Sequence, residues 1–349
     1  MNKKIVVFGL IMVMVFNLTG CGHSAKLTRY DATFLELFDT VTTIVGYAKD
    51  KDEFTEYAQN IYNDLKVYHE LYDIYNDYDG INNIKMVNDN AGIKPVKVDR
   101  KIIDLLKFSI EAYDFTDGKV NIAYGAVLSV WHDYRERGID DPENAKLPPM
   151  DVLKEKAQHT DINKMIVNEE DSTVYLQDPE MSLDVGAVAK GYATEQVAKA
   201  AQQNGFTSGS ISVGGNVRTL GAKADTKEAW NIGIQNPDLE SPDTNLYILK
   251  LKDLSLVTSG VYERYYTVDG KQYHHIIDPK TLMPAAYFVS VSIVTQDSGM
   301  ADALSTSVFN MPYEQGEKLI ESLPDTEALW VFPNGDMKYS SGFEKYIKK

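Results

Sequence analysis

The sequence has little positive charge, one cysteine and six histidines. Against 51 Asp and Glu it sets 35 Lys and Arg, a net charge of -16 in 349 residues. Nucleic acid is excluded as a partner, because phosphate contacts need clustered Lys and Arg. An anionic ligand needs local help from a metal, a lysine or backbone N–H groups. The lone cysteine, Cys21, cannot close an internal disulfide. Internal repeats are absent, and neither a GxGxxG nor a Walker A loop occurs. What is present is a globular composition, 44% hydrophobic and 25% charged, with length for one large domain or two ordinary ones.

Lys3 and Lys4 precede the apolar run "IVVFGLIMVMVF", and "LTGC" follows. This is a charged region, an apolar region and a small-residue cleavage site, too short and too early for an ordinary membrane span. An ordinary secretory peptide with an incidental cysteine is one reading. "LTGC" also resembles the lipobox of bacterial lipoproteins, in which the cysteine is lipidated and becomes residue one. The expectation is a signal peptide over 1–21, a tether over 22–30 and a folded domain over 31–349. The protein would be exported and anchored to the outer face of the cell membrane through Cys21. Without residues 1–21, which hold two lysines and no acid, the charge is 33 - 51 = -18.

Apolar residues at helical spacing, from Phe54 through Ile61 and Leu65 to Tyr72, predict a helix over 52–76 that ends near Tyr75. "NDYDGINNIKMVNDNAG" is dense in turn formers and predicts a loop. Helical spacing returns over 98–116, and 138–150 is a proline-bearing surface loop. "MIVNEEDSTVYLQ" reads as a hairpin, then a helix ends near Gly205. Strands dominate onward to "FVSVSIVTQ", with helices at "SGMADALSTSVFNM" and "EQGEKLIESLP" and closing strands at "EALWVFP" and "MKYSSGF". Helices and strands do not alternate regularly, which favours an α+β fold over a doubly wound sheet.

Chemistry concentrates at four places. In "SLDVGAVAKGYATEQVAKA", Gly186 and Gly191 bracket a helix start that carries Lys190. Small residues let a ligand approach the backbone, and a helix N-terminus favours negative charge. A tight packing corner with a solvated lysine explains the same residues. In "SVGGNVRTLG", Asn216 and Arg218 follow a glycine pair and could bind a ligand or simply close a hairpin. In "ADALSTSVFNM", Asp302 and Thr306 are four apart and share one helical face. A carboxylate beside a hydroxyl can hold a hard cation such as Mg²⁺, and Asp302 near a helix cap is the plainer alternative. "HHIIDPKTLMPA" places His274 and His275 before an Asp-Pro turn, as a polar hairpin end or as a base on a rigid turn.

These stretches, in order, resemble the ApbE family of FAD:protein FMN transferases. "LDVGAVAKGYA" is similar to the family's D-x-G-x-x-A-K-G-Y-A, and "SVGGNVRTLG" to its glycine-pair corner. "YHHIIDPKTLMPA" resembles H-I-I-D-P-x-T-G-x-P, with Leu282 at the glycine position, and "ADALSTSVF" resembles A-D-A-L-A-T-A. "FDTVTTI" echoes an M-G-T entry strand, with Phe38-Asp39 at M-G.

The resemblance implies T-fold-like mixed sheets packed with helices, and an active site in a cleft between lobes. It implies FAD as substrate, Mg²⁺ as cofactor, and transfer of FMN to a Thr or Ser hydroxyl of an acceptor protein with release of AMP. Asp302, Thr306 and the Ala187 carbonyl would hold the metal, and Asp184 and Lys190 would lie along FAD. Phe38, Tyr75 or Tyr78, Lys119, Val120 and Asn121 would face the flavin or adenine, with Ile277 close by. His275 would take the proton of the incoming hydroxyl as an imidazole near its ordinary pKa, with His274 its structural neighbour. Two other outcomes remain open at this point: hydrolysis of FAD to FMN and AMP at the same site, and a flavin-binding lipoprotein without turnover.

Overall fold

The computed structural model describes residues 27–349. Cys21, the leader and most of the expected tether lie outside the described residues. The chain runs β1 (Thr28–Phe34), β2 (Thr42–Ala48), α1 (Lys51–Tyr72), α2 (Ile84–Asp89), β3 (Val96–Lys97), α3 (Arg100–Phe115), α4 (Gly125–Asp140) and α5 (Met150–Lys156). It continues β4 (Met165–Asn168), β5 (Thr173–Leu176), α6 (Ala189–Gln203), β6 (Gly209–Val213), β7 (Asn216–Leu220), β8 (Trp230–Gln235), β9 (Asn245–Leu251) and β10 (Ser255–Gly260). It closes with β11 (Tyr265–Val268), β12 (Lys271–His274), β13 (Ser290–Thr295), α7 (Ser298–Phe309), α8 (Tyr313–Glu321), β14 (Glu327–Val331) and β15 (Met337–Tyr339). The α+β expectation holds, and β1 begins inside the stretch read as tether.

An eight-stranded antiparallel sheet in the order β1-β2-β6-β7-β10-β13-β14-β15 forms the frame. Every residue of β13 and β14 is buried, so both faces are covered. Alternation along the strands divides them between two cores. Ile293 and Trp330 join Ala301, Leu304 and Val308 of α7, whereas Val294 and Leu329 join Leu249 and Leu251 of the β8–β9 hairpin. A further cluster gathers α1, α2, α3, α6 and the sheet β3-β5-β4. A fourth packs Trp131 of α4 with Tyr266 of β11, Ile277 and Leu282.

Three local expectations need correction. The first helix stops at Tyr72 rather than near Tyr75, because Asp73 leaves the helical region and its Oδ1 accepts the N–H groups of Tyr75 and Asn76. That turn competes with the helix ladder. The expected loop over 76–92 contains α2, capped by Asn83, whose Oδ1 accepts the Met86 N–H. Its short apolar period, Ile84 to Val87, was hidden by flanking turn formers. The entry strand is also shorter than read: residues 37–39 form a tight turn, and β2 starts only at Thr42.

Gly191 fixes how α6 meets α7. A Cβ there would run into the Ser298 carbonyl and the Asp302 side chain. The glycine therefore sets the closeness of the two helices that carry Lys190 and Asp302.

Candidate active site

Where the α4–β11–β12 lobe meets the large sheet and the α6–α7 pair lies a cavity of about 800 Å³, within the range of small-molecule sites. Phe38, Tyr75, Lys119, Val120, Asn121, Asp184, Ala187, Lys190, His275, Ile277, Asp302 and Thr306 all line it. Tyr78 does not. Its hydroxyl donates to Asp73 Oδ2 at 2.7 Å and meets His69 Nε2 at 3.2 Å, so it braces the turn after α1 while Tyr75 faces the cavity. Arg218 is also absent from the wall. Its Nε donates to buried Glu195 Oε2 at 2.9 Å. The same oxygen accepts the Ser298 N–H at 2.9 Å, joining β7, α6 and the start of α7. This arginine positions a helix and is not a ligand contact.

The Ala187–Lys190–Asp302 corner is built by an exchange of hydrogen bonds. In an unbroken helix Gly191 N–H would return to the Ala187 carbonyl. It donates instead to Asp302 Oδ2 at 2.8 Å, which leaves that carbonyl outside the ladder of α6. Asp302 is buried, and burial raises its pKa, opposed by Lys190 and the Gly191 N–H. The Asn216 side chain beside it also favours the charged form, and Asn310 Oδ1 is buried without a partner further along the wall. The described residues contain no group of three or more His, Cys, Asp or Glu placed to hold a metal. The donors on offer are one carboxylate, one hydroxyl and one carbonyl. All are hard oxygens, and that set suits a Mg²⁺ ion that keeps waters and shares substrate oxygens.

His275 sits just past β12. Its backbone N–H and its Nδ1 both face the Arg264 carbonyl, at 3.0 and 3.2 Å. A carbonyl only accepts, so Nδ1 carries the proton and Nε2 keeps its lone pair. Enclosure in the wall, reinforced by the charges of Arg264 and Lys190, pushes its pKa down to about 3. The expected ordinary imidazole pKa is thereby corrected: the sequence could not reveal two cations brought from distant segments. His274 is buried, with Nε2 bonded to the Ala285 carbonyl at 2.8 Å and Nδ1 accepting the Ile276 N–H. It braces the turn, as read.

The flavin-facing candidates divide by what their side chains are free to do. Asn121 spends its amide on Ala123 N–H and the Thr160 carbonyl, so it offers backbone to the cavity. Lys119 Nζ pairs with buried Asp278 at 3.5 Å. Asp184 Oδ1 accepts the Gly186 N–H at 2.8 Å, and burial raises its pKa. Phe38 adopts a left-handed backbone, φ 56°, followed by Asp39 at 51°. Two such residues in a row cost about 1–3 kcal/mol each and collect at functional sites. His132, Arg135 and Arg264 also line the cavity and were missed. The spacing of His132 and Arg135 on one helical face was the available signal.

The sequence profile described as the ApbE family matches residues 38–330. A curated FAD:protein FMN transferase of Treponema pallidum (strain Nichols) is 31% identical over 97% of this chain and 94% of its own length. One of Klebsiella pneumoniae (strain 342) is 31% identical over 73% of this chain and 76% of its own length. Among solved structures, the ApbE protein of Thermotoga maritima aligns at TM-score 0.80 and 28% identity, covering 92% of this chain and 100% of that one. With the family profile spanning most of the chain and its motifs converging on one cavity, the chain belongs to the ApbE family.

Proposed function

We propose that this protein is a Mg²⁺-dependent FAD:protein FMN transferase that modifies a Thr or Ser hydroxyl and releases AMP. One observation supports it most: a single cavity joins a histidine with a free Nε2 lone pair to a hard-oxygen corner and a lysine, from segments far apart in sequence. The acceptor oxygen bonds to the FMN phosphorus, and the bond from that phosphorus to the bridging oxygen breaks. The hydroxyl proton passes to His275 Nε2, and AMP departs with the bridging oxygen. Bound at Asp302, Thr306 and Ala187, Mg²⁺ would supply charge neutralisation of the pyrophosphate. Lys190 adds a positive charge on the same side.

The test is incubation of purified 22–349 with FAD and Mg²⁺, with and without a threonine-bearing acceptor protein, read by mass spectrometry. A covalent FMN adduct that needs the cation supports the reading. FMN and AMP formed equally without acceptor make the protein a hydrolase, and FAD binding without turnover makes it a carrier.

Anchoring through Cys21 is part of this proposal and rests on "LTGC". Among the described residues no helix is long and apolar enough to cross a membrane, so attachment would depend on the lipid. Cys21→Ser is expected to move the protein from the membrane fraction to the soluble exported or misprocessed pool, without changing the activity of purified 22–349. A serine variant that still sediments with membranes refutes lipid anchoring.

A further inference from the structure

The sequence has six arginines. Arg29, Arg100, Arg137 and Arg218 each hold a carboxylate within 4.0 Å. Arg135 and Arg264 hold none among the described residues, and both line the cavity. In a chain with 51 acids against 35 bases, a carboxylate is the easiest partner to find. Two unpaired guanidiniums in one wall therefore call for an anion from outside.

Their convergence is built into the packing. Arg135 lies on α4, and Arg264 lies in the turn before β11. On α4, Gly138 meets the Tyr266 ring so closely that a Cβ has no room. The Tyr266 hydroxyl then donates to the Lys146 carbonyl at 3.0 Å. These contacts bring β11 onto α4 and both cations to one wall. Burial lowers the pKa of Arg135, and the charge of Arg264 adds to that. Arg135 Nη2 donates to His132 Nδ1 at 2.7 Å, and the His132 ring lies against Tyr75, centroids 5.1 Å apart. That contact orients the guanidinium without neutralising it.

Position in the cavity indicates which anion is bound. Lys190 acts on Asp302, Asp184 and His275 alike, whereas Arg264 acts on Asp184 and His275 and not on Asp302. Arg264 thus sits with the proton acceptor, and neither arginine is among the groups that act on Asp302 at the corner that would meet the pyrophosphate. The carbonyl of Arg264 carries His275 itself. A hydroxyl delivered to His275 Nε2 brings its own flanking residues to these guanidiniums. Planar, fixed forks of this kind match carboxylates.

We infer that Arg135 and Arg264 form a two-pronged anion site that holds a carboxylate of the acceptor protein beside the hydroxyl to be modified. The inference rests on the transferase reading above, and its test does not need transfer. The probe is a pair of labelled synthetic peptides with a central threonine, identical except for aspartates or asparagines at the flanking positions. Binding to the FAD-loaded His275→Ala protein is followed by fluorescence anisotropy. The aspartate peptide is expected to bind about tenfold or more tightly than its twin, with the advantage lost in Arg135→Gln and Arg264→Gln and reduced by salt. Equal binding of the twins overturns the inference, whatever the transfer rate. So does a loss of FAD affinity in the arginine variants with the peptide preference intact, since the anion would then be a phosphate of the dinucleotide. A protein that prefers the aspartate peptide yet transfers FMN to nothing keeps the site and refutes the transferase reading instead.

Discussion

Asp302→Asn is expected to abolish Mg²⁺-dependent turnover while the protein stays folded. The substitution keeps the size of the side chain and an oxygen for Gly191 N–H, and removes only the charge. Burial raises the pKa of this carboxyl, and an acid whose pKa is raised on folding costs stability above its unfolded pKa. The metal-free asparagine variant should therefore be at least as stable as the wild type at neutral pH. Thermal melts with and without MgCl₂ separate the effects. The wild type should gain Tm with the cation, as a ligand that binds only the folded state requires, and the variant should not. Thr306→Val should be milder, because a neutral hydroxyl contributes less to a divalent cation than a carboxylate. Turnover of the wild type that survives EDTA would remove the cation from the mechanism.

His275→Ala should cut FMN transfer by about 10²–10⁴-fold, the usual worth of a general base, with FAD affinity nearly intact. His274→Ala should instead destabilise by about 1–3 kcal/mol, since it leaves the Ala285 carbonyl and the Ile276 N–H without their buried partner. The pH profile follows from the direction of the His275 shift. With its pKa lowered to about 3, the imidazole is already neutral, and competent as a base, throughout the ordinary imidazole range. It should therefore add no rise to kcat/KM near pH 6.5, roughly its unperturbed pKa. Bound FAD brings negative charge toward Lys190, which opposes that cation's effect on His275. The acid limb of kcat, which reports the complex, should then lie at higher pH than that of kcat/KM. A limb unchanged in His275→Ala, or a transfer defect in His274→Ala alone, would assign the base elsewhere.

Much of this site was legible because its chemistry comes in short local patterns. The four apart of Asp302 and Thr306, the glycine bracket at Lys190 and the His-Asp-Pro turn each sit within a dozen residues. What stayed hidden depends on contacts between distant segments. Arg218 reads equally as a ligand contact or as part of a hairpin corner until Glu195 arrives from α6. The choice between Tyr75 and Tyr78 turns on one Asp73 side chain that ends a helix early. Leu282 shows a subtler limit. Its φ of 61° keeps the conformation suited to glycine, with its N–H on the Asp278 carbonyl at 2.8 Å and its own carbonyl on Trp131 Nε1 at 3.0 Å. Left-handed leucine costs about 1–2 kcal/mol, and burying its side chain against Trp131, Tyr266 and Ile277 contributes about 1.5–3 kcal/mol. The leucine thus takes up the left-handed conformation that a glycine at this motif position would favour.

The early start of β1 sets a working radius. With Cys21 lipidated, only residues 22–27 separate the bilayer from the first residue of an eight-stranded sheet. Fully extended, that span reaches about 25 Å, close to the radius of gyration of about 20 Å expected for a body of this size. The enzyme would then work close to the surface. Its cavity would sweep a thin layer next to the membrane, so the proteins it modifies would have to bring their hydroxyl into that layer, as neighbours held at the same surface do.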